Sequence, residues 1–233
     1  MLEPIPETRK ALATFLPLDE PDFGEKLTDM GERARKVVPE IVGMSVGLIE
    51  AGLTFTLATP DLLASELDAA QYVDGEGPCL AAVDEAVVVS ADMDSLLDEG
   101  RWQLFAQAAS ARGVASSLSM PVMRGGQVVG GVNVYASTPD AFAGHEEALG
   151  AVLGAAAEHA VANADLSFST RLAAVDTPQR LLDNDKLETA VGMVAVRFGE
   201  SVGDARDRIR RAAAQSGLTE SAVANVLVAV HLD

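Results

Sequence analysis

The segment best suited to chemistry is "VDGEGPCLAAV" at residues 73–83, where Pro78 places Cys79, the chain's single cysteine, at the start of an apolar run. A phosphate-binding loop would need a lysine and then a serine or threonine after its last glycine, and Pro78-Cys79 stands there instead. A nucleophilic cysteine needs a neighbouring base or cation to lower its pKa, and no histidine or lysine is local. We therefore expect a turn that leads to a buried, structural cysteine.

The remaining titratable residues form no arrangement that is typical of catalysis or metal binding. His145, His159 and His231 are scattered, without the spacing of metal ligands. No pair of carboxylates has a context that suggests general acid and base work. We therefore expect a binding protein without a cofactor, and not an enzyme.

A second concentration of functional side chains is a group of arginines near the end of the chain. Residues 177–233 contain seven Lys and Arg, and five of them lie within fifteen positions: Arg197, Arg206, Arg208, Arg210 and Arg211. Aspartates are interleaved with these arginines. Charge alone therefore favours a solvated helix face with ordinary ion pairs over a surface that binds RNA.

The charge distribution predicts two modules. The 233-residue chain has a net charge of −18, and residues 1–176 carry 10 Lys and Arg against 27 Asp and Glu. Residues 177–233 carry 7 against 8, so an acidic body precedes a nearly neutral, locally basic tail. Aromatic residues make up only 4% of the chain, which disfavours an aromatic-lined carbohydrate or base-stacking site.

Two further features of the sequence indicate the cellular compartment. No stretch reaches the roughly 18 uncharged apolar residues that a membrane span needs, and the start, "MLEPIPETRK", lacks the basic-then-apolar order of a signal peptide. A single cysteine cannot form an internal disulfide, which favours a reducing environment. We expect a cytoplasmic protein that does not contact membranes.

The periodicity of residues 22–165 predicts an α+β domain with a largely antiparallel sheet flanked by helices. Helical spacing begins at Phe23 and ends at Pro39, and β-prone runs at 44–59 and 116–135 indicate two hairpins. A helix is expected at 62–71, a short buried strand at 86–90, and a loop with a helix around Trp102. A long helix is expected to begin near Gly144 and to extend towards Val175, with part of it pairing with the same helix of another subunit.

The last fifty residues predict three short helices that form a small all-α bundle. Gly199 and Gly217 end the first two helices, while Ser201 and Thr219 are placed to cap the second and third. Thr177-Pro178 has the order of a helix cap followed by proline at the first helical position, which marks a boundary before the bundle.

This order of features resembles two known families. The segment "GEGPCLAAVDEAVVVSADM" and the later "GRWQLFAQAASARGVASSLSMPVMRGGQVVGGVNVYAS", followed by an alanine-rich helix, resemble the GAF domains of actinobacterial regulators over residues 22–165. The tail "LETAVGMVAVRFGESVGDARDRIRRAA" resembles the ANTAR domain over residues 180–233. Residues 1–21 would then be an N-terminal arm, and residues 166–179 a helical linker.

The resemblance implies a transcription antitermination regulator. GAF domains sense small molecules or partner proteins, and ANTAR dimers bind paired stem-loops in a nascent transcript and keep a terminator hairpin from forming. On this basis the expected RNA-binding residues are Ala190, Gly192, Arg197, Arg208, Arg210 and Arg211. The opening loop and its surroundings would wall a ligand pocket that Cys79, Leu80 and Trp102 line. The expected assembly is a homodimer.

One departure from the ANTAR pattern affects the expected affinity for RNA. The family carries a basic "Asn-Arg-Lys" turn between its second and third helices, and this chain has "SGLTES" at 216–221. Fewer cations release fewer counterions, which predicts weaker and less salt-dependent binding. Two alternatives remain open at this point: a protein-interaction module whose tail dimerises without binding RNA, and a receptor for a small molecule.

Overall fold

The computed structural model describes residues 3–4, 23–48, 53–58, 63–163 and 184–230. The predicted linker at 166–179, including the Thr177-Pro178 boundary, lies outside these residues. So does the extension of the long helix towards Val175, and most of the predicted arm.

Six strands form one antiparallel sheet in the order β1-β3-β2-β6-β5-β4. Their bounds are β1 Glu3–Pro4, β2 Ile41–Leu48, β3 Leu53–Ala58, β4 Val89–Asp92, β5 Ser116–Arg124 and β6 Gln127–Ala136. Both predicted hairpins are present. The turn between β5 and β6 consists of Gly125 and Gly126, whose positive φ angles of 59° and 82° suit a tight hairpin.

The helices of the described residues are α1 Phe23–Val37, α2 Leu63–Asp74, α3 Pro78–Glu85, α4 Met93–Glu99, α5 Gln103–Ala111, α6 Glu146–Asn163, α7 Asn184–Phe198, α8 Val202–Ser216 and α9 Glu220–Ala229. None of these helices combines the length and the apolar character needed to cross a lipid bilayer. Helices α1 and α6 pack on one face of the sheet, whereas α2 and α3 cover the other. The α+β class predicted for residues 22–165 is confirmed.

Two local predictions between residues 86 and 113 are wrong. The strand expected at 86–90 is β4, which begins at Val89 and lies at the edge of the sheet, so Val87 and Val88 are 44% and 51% exposed. The expected loop before Trp102 contains helix α4, which Asp92 caps by accepting a hydrogen bond from the backbone N–H of Asp94. Short apolar runs do not distinguish an exposed edge from a buried strand, because both are β-prone.

The three tail helices are present, and their caps are the predicted ones. Ser201 Oγ accepts from the backbone N–H of Asp204 at 3.1 Å, and Thr219 Oγ1 accepts from that of Ala222 at 3.1 Å. Gly217, at a φ of 70°, ends α8. These local signals fix the helix ends because each cap satisfies backbone donors that the helix itself leaves unpaired.

The tail bundle does not have a core of its own. Its buried residues, among them Val194, Ile209 and Leu227, belong to the same apolar cluster as Leu67 and Val73 of α2. Helices α8 and α9 pack directly against α2. As a result α2 lies between the sheet on one side and the tail on the other, and every residue from Leu63 to Gln71 is buried.

The glycines of the opening loop are explained by this packing. Gly77 has a φ of 154°, and a Cβ added there would overlap the side chain of Gln71. Gly75, at a φ of 74°, ends α2 by donating its N–H to the carbonyl of Gln71 at 2.8 Å. The loop is therefore a turn that lets α3 begin directly beside α2.

We predict that Gly77→Ala lowers the free energy of unfolding by about 2–4 kcal/mol, since it combines an unfavourable φ with steric overlap. Gly154→Ala is the matched control. Gly154 is an exposed helical glycine with nothing near its would-be Cβ, so alanine there should stabilise the protein by up to about 1 kcal/mol. Urea unfolding of both variants measures the difference, and equal stabilities would contradict the prediction.

Candidate functional site

A buried polar cluster lies between the sheet and α2. Ser45 of β2, Ser119 of β5 and Asn133 of β6 are cross-strand partners, and Ser117 is likewise opposite Tyr135. All five are at most 2% exposed. They alternate along the strands with apolar residues that face α1 and α6, because successive side chains of a strand point to opposite faces.

Asp68 of α2 is the centre of the cluster. Its Oδ1 accepts hydrogen bonds from the Tyr135 hydroxyl at 2.7 Å and from Asn133 Nδ2 at 3.0 Å. Asn133 Nδ2 also donates to Ser45 Oγ at 3.1 Å, and Ser119 Oγ donates to Asn133 Oδ1 at 2.9 Å. The network therefore ties α2 to three strands through a single carboxylate.

Burial governs the titration of this cluster. Desolvation raises the pKa of Asp68 to about 6, although the hydrogen bonds from Tyr135, Ser45 and Asn133 act in the opposite direction. Burial and then the neighbouring Asp68 charge raise the pKa of Tyr135 well above its ordinary value. The carboxyl group of Asp68 therefore titrates near pH 6, well above the usual range of an aspartate.

Cys79 lies beside this network as a buried thiol. Its backbone N–H donates to Gln71 Oε1 at 2.9 Å, and burial, followed by the charge of Asp68, raises the pKa of the thiol to about 12. The thiolate is the reactive form of cysteine, so Cys79 is a packing residue in this environment. That placement agrees with the prediction of a buried, structural cysteine.

Three buried polar atoms in or beside the cluster make no hydrogen bond to the described part of the chain. Within the described residues, Asp68 Oδ2, Gln71 Nε2 and Ser117 Oγ have no hydrogen-bond partner. Buried polar atoms are normally satisfied, so this carboxylate oxygen, amide donor and hydroxyl are exceptions to the rule. The same part of the chain has no group of His, Cys, Asp and Glu that could hold a metal ion.

The three residues predicted to line a ligand pocket lie on α3 and at the start of α5. Cys79 is next to the polar cluster, and Leu80 follows it on α3 with its side chain half-buried. Trp102 lies at the start of α5 as part of the apolar core, with the Arg101 guanidinium 3.8 Å from the centre of its ring. Their role as pocket residues stays a prediction.

The predicted RNA-binding arginines fall into two pairs. Arg197 is ion-paired with Asp74 of α2 at 3.1 Å, and Arg208 donates to both carboxylate oxygens of Glu200 at 3.0 Å. In contrast, Arg210 and Arg211 are exposed on α8, where Arg210 pairs with the nearby Asp207 at 2.7 Å. The two pairs therefore differ in how freely they could meet a polyanion.

The two small residues predicted to contact RNA also differ. Ala190 is fully buried in the core of α7, so its side chain offers no surface in this arrangement. Gly192 is exposed, and a Cβ built there would meet nothing within 4 Å. Close packing within the bundle therefore does not explain this glycine.

Sequence reasoning missed the polar cluster. The signal was present as small polar residues at every second position of β-prone runs, notably Ser117, Ser119 and Asn133, and as Asp68 three positions before Gln71 in α2. Alternation identifies two faces of a sheet, but it does not say which face another element will cover. From the sequence alone, the polar face of the sheet is therefore equally compatible with exposure to solvent.

An antiparallel sheet with helices on both faces is the architecture of a small α+β domain. The family model described as the GAF domain matches residues 25–162. The chain therefore belongs to the GAF domain family, which indicates a sensor or signalling module. This match ends before the tail helices, and the ANTAR identity of the tail stays a prediction.

A comparison with curated protein sequences finds no match. Among solved structures, the chain is similar to a type II free methionine-R-sulfoxide reductase from Thermoplasma acidophilum at 15% sequence identity and a TM-score of 0.37. The similarity covers 59% of this chain and 94% of the other.

The matched structure is that of an enzyme, which contradicts the prediction that this chain is not one. That prediction came from the absence of reactive residues close together in the sequence. Folding brings distant residues together, as it does for Asp68, Asn133 and Tyr135, so such an absence cannot exclude an activity. A TM-score of 0.37 in turn assigns no activity to this chain.

We predict that Asp68 makes the folded protein less stable as the pH rises from about 4 to 6. The folded state holds this proton up to a pKa of about 6, whereas the unfolded chain releases it near 3.8. The free energy of unfolding therefore falls by about 3 kcal/mol across this window and stays lower above it. Asp68→Asn should lose this dependence, and urea unfolding at several pH values measures it.

Tyr135→Phe is the companion variant for the Asp68 prediction. It removes a hydrogen bond that lowers the pKa of Asp68, so the loss of stability should extend to higher pH. Parallel pH profiles for the wild type and Asp68→Asn would contradict the prediction.

Proposed function

We propose that this chain is a signal-responsive, RNA-binding regulator of transcription antitermination. Its GAF domain receives the signal, and its tail binds paired stem-loops in a nascent transcript so that a terminator hairpin does not form. The observation that carries the proposal is the adjacent, exposed pair Arg210 and Arg211 on α8. It is supported by the ANTAR-like order of residues in the tail.

The electrostatics of the tail are consistent with this role. Phosphate binding depends on Lys and Arg, and the chain has its densest group of arginines on α7 and α8. The exposed Gly192 lies on α7, where an RNA backbone could approach closely because no side chain intervenes. Two tails are needed to hold two stem-loops, so the proposal includes a homodimer.

We propose a small polar molecule as the signal. The free hydrogen-bonding capacity of Asp68 Oδ2, Gln71 Nε2 and Ser117 Oγ is the observation behind this choice. Such a ligand would exchange hydrogen bonds with α2, a helix that contacts both the sheet and the tail. A partner protein is the alternative signal, and the acidic GAF domain would favour a basic one.

We expect purified full-length protein to bind an RNA of two consecutive stem-loops, and Arg210→Ala/Arg211→Ala to bind it at least tenfold more weakly. Each lost phosphate contact should also make the salt dependence less steep, because fewer counterions are released. Fluorescence anisotropy between about 50 and 200 mM salt measures both effects.

Arg33→Ala/Arg35→Ala is the control for the RNA experiment. It removes two arginines from α1 in the GAF domain, and it should bind the RNA as the wild type does. Equal losses in both double variants would mean that only net charge matters. Absence of binding at low salt would refute the proposal and favour the interaction module.

A further inference from the structure

Two of the tail arginines are held by the C-terminal end of α2. Arg197 contacts Asp74 Oδ1 through Nη2 at 3.1 Å and through Nε at 3.4 Å. Arg208 Nη1 donates to the backbone carbonyl of Val73 at 3.2 Å. The side chain of Asp74 is only 10% exposed, so this contact is better protected from solvent screening than an ordinary surface ion pair.

Further contacts within the tail complete this arrangement. The Arg208 guanidinium lies 4.1 Å from the centre of the Phe198 ring, and that of Arg197 lies 5.7 Å from the same ring. The hydrogen bonds that Arg208 makes with Glu200 raise its pKa and keep it charged. Both guanidinium groups therefore have their donors directed towards acceptors of this chain, and would have to leave them to bind phosphate.

The same helix carries the polar cluster on its other side. Asp68 accepts from Asn133 and Tyr135, and the Gln71 side chain accepts from the backbone of Cys79. Only two residues separate Gln71 from Asp74, which is less than one helical turn. A change in hydrogen bonding at the cluster therefore acts on the same rigid helix that holds Arg197 and Arg208.

We propose that the C-terminal end of α2 is an autoinhibitory clamp on the tail. The Asp74 carboxylate and the Val73 carbonyl occupy guanidinium donors of Arg197 and Arg208 that RNA phosphates would otherwise accept. Binding of a signal at the polar cluster shifts α2, which releases Arg197 from Asp74 and frees Nη1 of Arg208 from the Val73 carbonyl, while Arg208 keeps its ion pair with Glu200. This regulation depends on the proposed RNA-binding function, because a clamp matters only if the released arginines bind RNA.

The clamp couples the polar cluster to the tail arginines in both directions. A ligand can shift such an equilibrium only by binding the clamped and released states unequally. The cluster meets this condition because α2 contributes its central carboxylate and would take that group with it. By thermodynamic linkage, RNA bound to the released arginines favours the state of the cluster that the signal prefers.

The test compares Asp74→Asn with the wild type in binding to the RNA of two stem-loops. Losing the clamp carboxylate should tighten binding by about three- to tenfold. Asp98→Asn is the matched control, since it removes the same charge from an exposed site on α4. It should bind the RNA as the wild type does.

The outcomes separate the clamp from RNA binding itself. Tighter binding by Asp74→Asn alone supports the clamp. If the wild type binds RNA and both aspartate variants bind equally, the clamp is refuted while the proposed function stands. If no variant binds RNA at low salt, both are refuted. The double variant Asp74→Asn/Arg197→Ala should lose the gain, since it removes the arginine that the first change released.

Hydrogen exchange on the unmutated protein gives a second test that does not depend on how the variants fold. The Gly75 amide closes the end of α2 by donating to the Gln71 carbonyl at 2.8 Å. If RNA releases the clamp, exchange at residues 73–75 should become faster when the RNA is added, while exchange in α8 becomes slower. Unchanged or slower exchange at residues 73–75 would overturn the inference.

Discussion

The buried carboxylate of Asp68 accepts hydrogen bonds from Tyr135 and Asn133, and the position of α2 on the sheet depends on those contacts. Burying a charged or polar group costs free energy unless the group is paired. The helix therefore lies on the sheet in the position that brings Asp68 to these two donors. Burial raises the pKa of Asp68 to about 6. The same interaction that positions α2 therefore makes its packing sensitive to protonation and to any ligand that offers hydrogen bonds.

Because α2 is covered by the sheet on one side and by the tail on the other, it is packed between two parts of the chain. The tail helices contribute to the apolar cluster that includes α2, α4 and α5. Each tail helix has only a narrow apolar face, and packing on α2 gives those faces the burial that three short helices cannot give one another. The tail is thus stabilised by the domain that it is proposed to report on.

The arginines of the tail differ in whether α2 contacts them. The acidic body places Asp74 against Arg197, while Arg210 and Arg211 remain exposed. A polyanion approaching the tail would meet two exposed arginines and two arginines engaged by α2. In the proposed regulation, the basic surface open to a polyanion depends on where α2 lies.

The local features could be predicted from the amino-acid sequence: the helices and their Ser201 and Thr219 caps, the glycine turn at 125–126, the α+β class and the buried state of Cys79. These follow from short-range backbone chemistry and from periodicity, which need no knowledge of distant residues. Three features could not be predicted in this way: which sheet face is covered, that Asp68, Asn133 and Tyr135 meet, and that Asp74 holds Arg197. These contacts join residues 65 to 123 positions apart. Periodicity shows that an element has two faces, and only packing decides what each face meets.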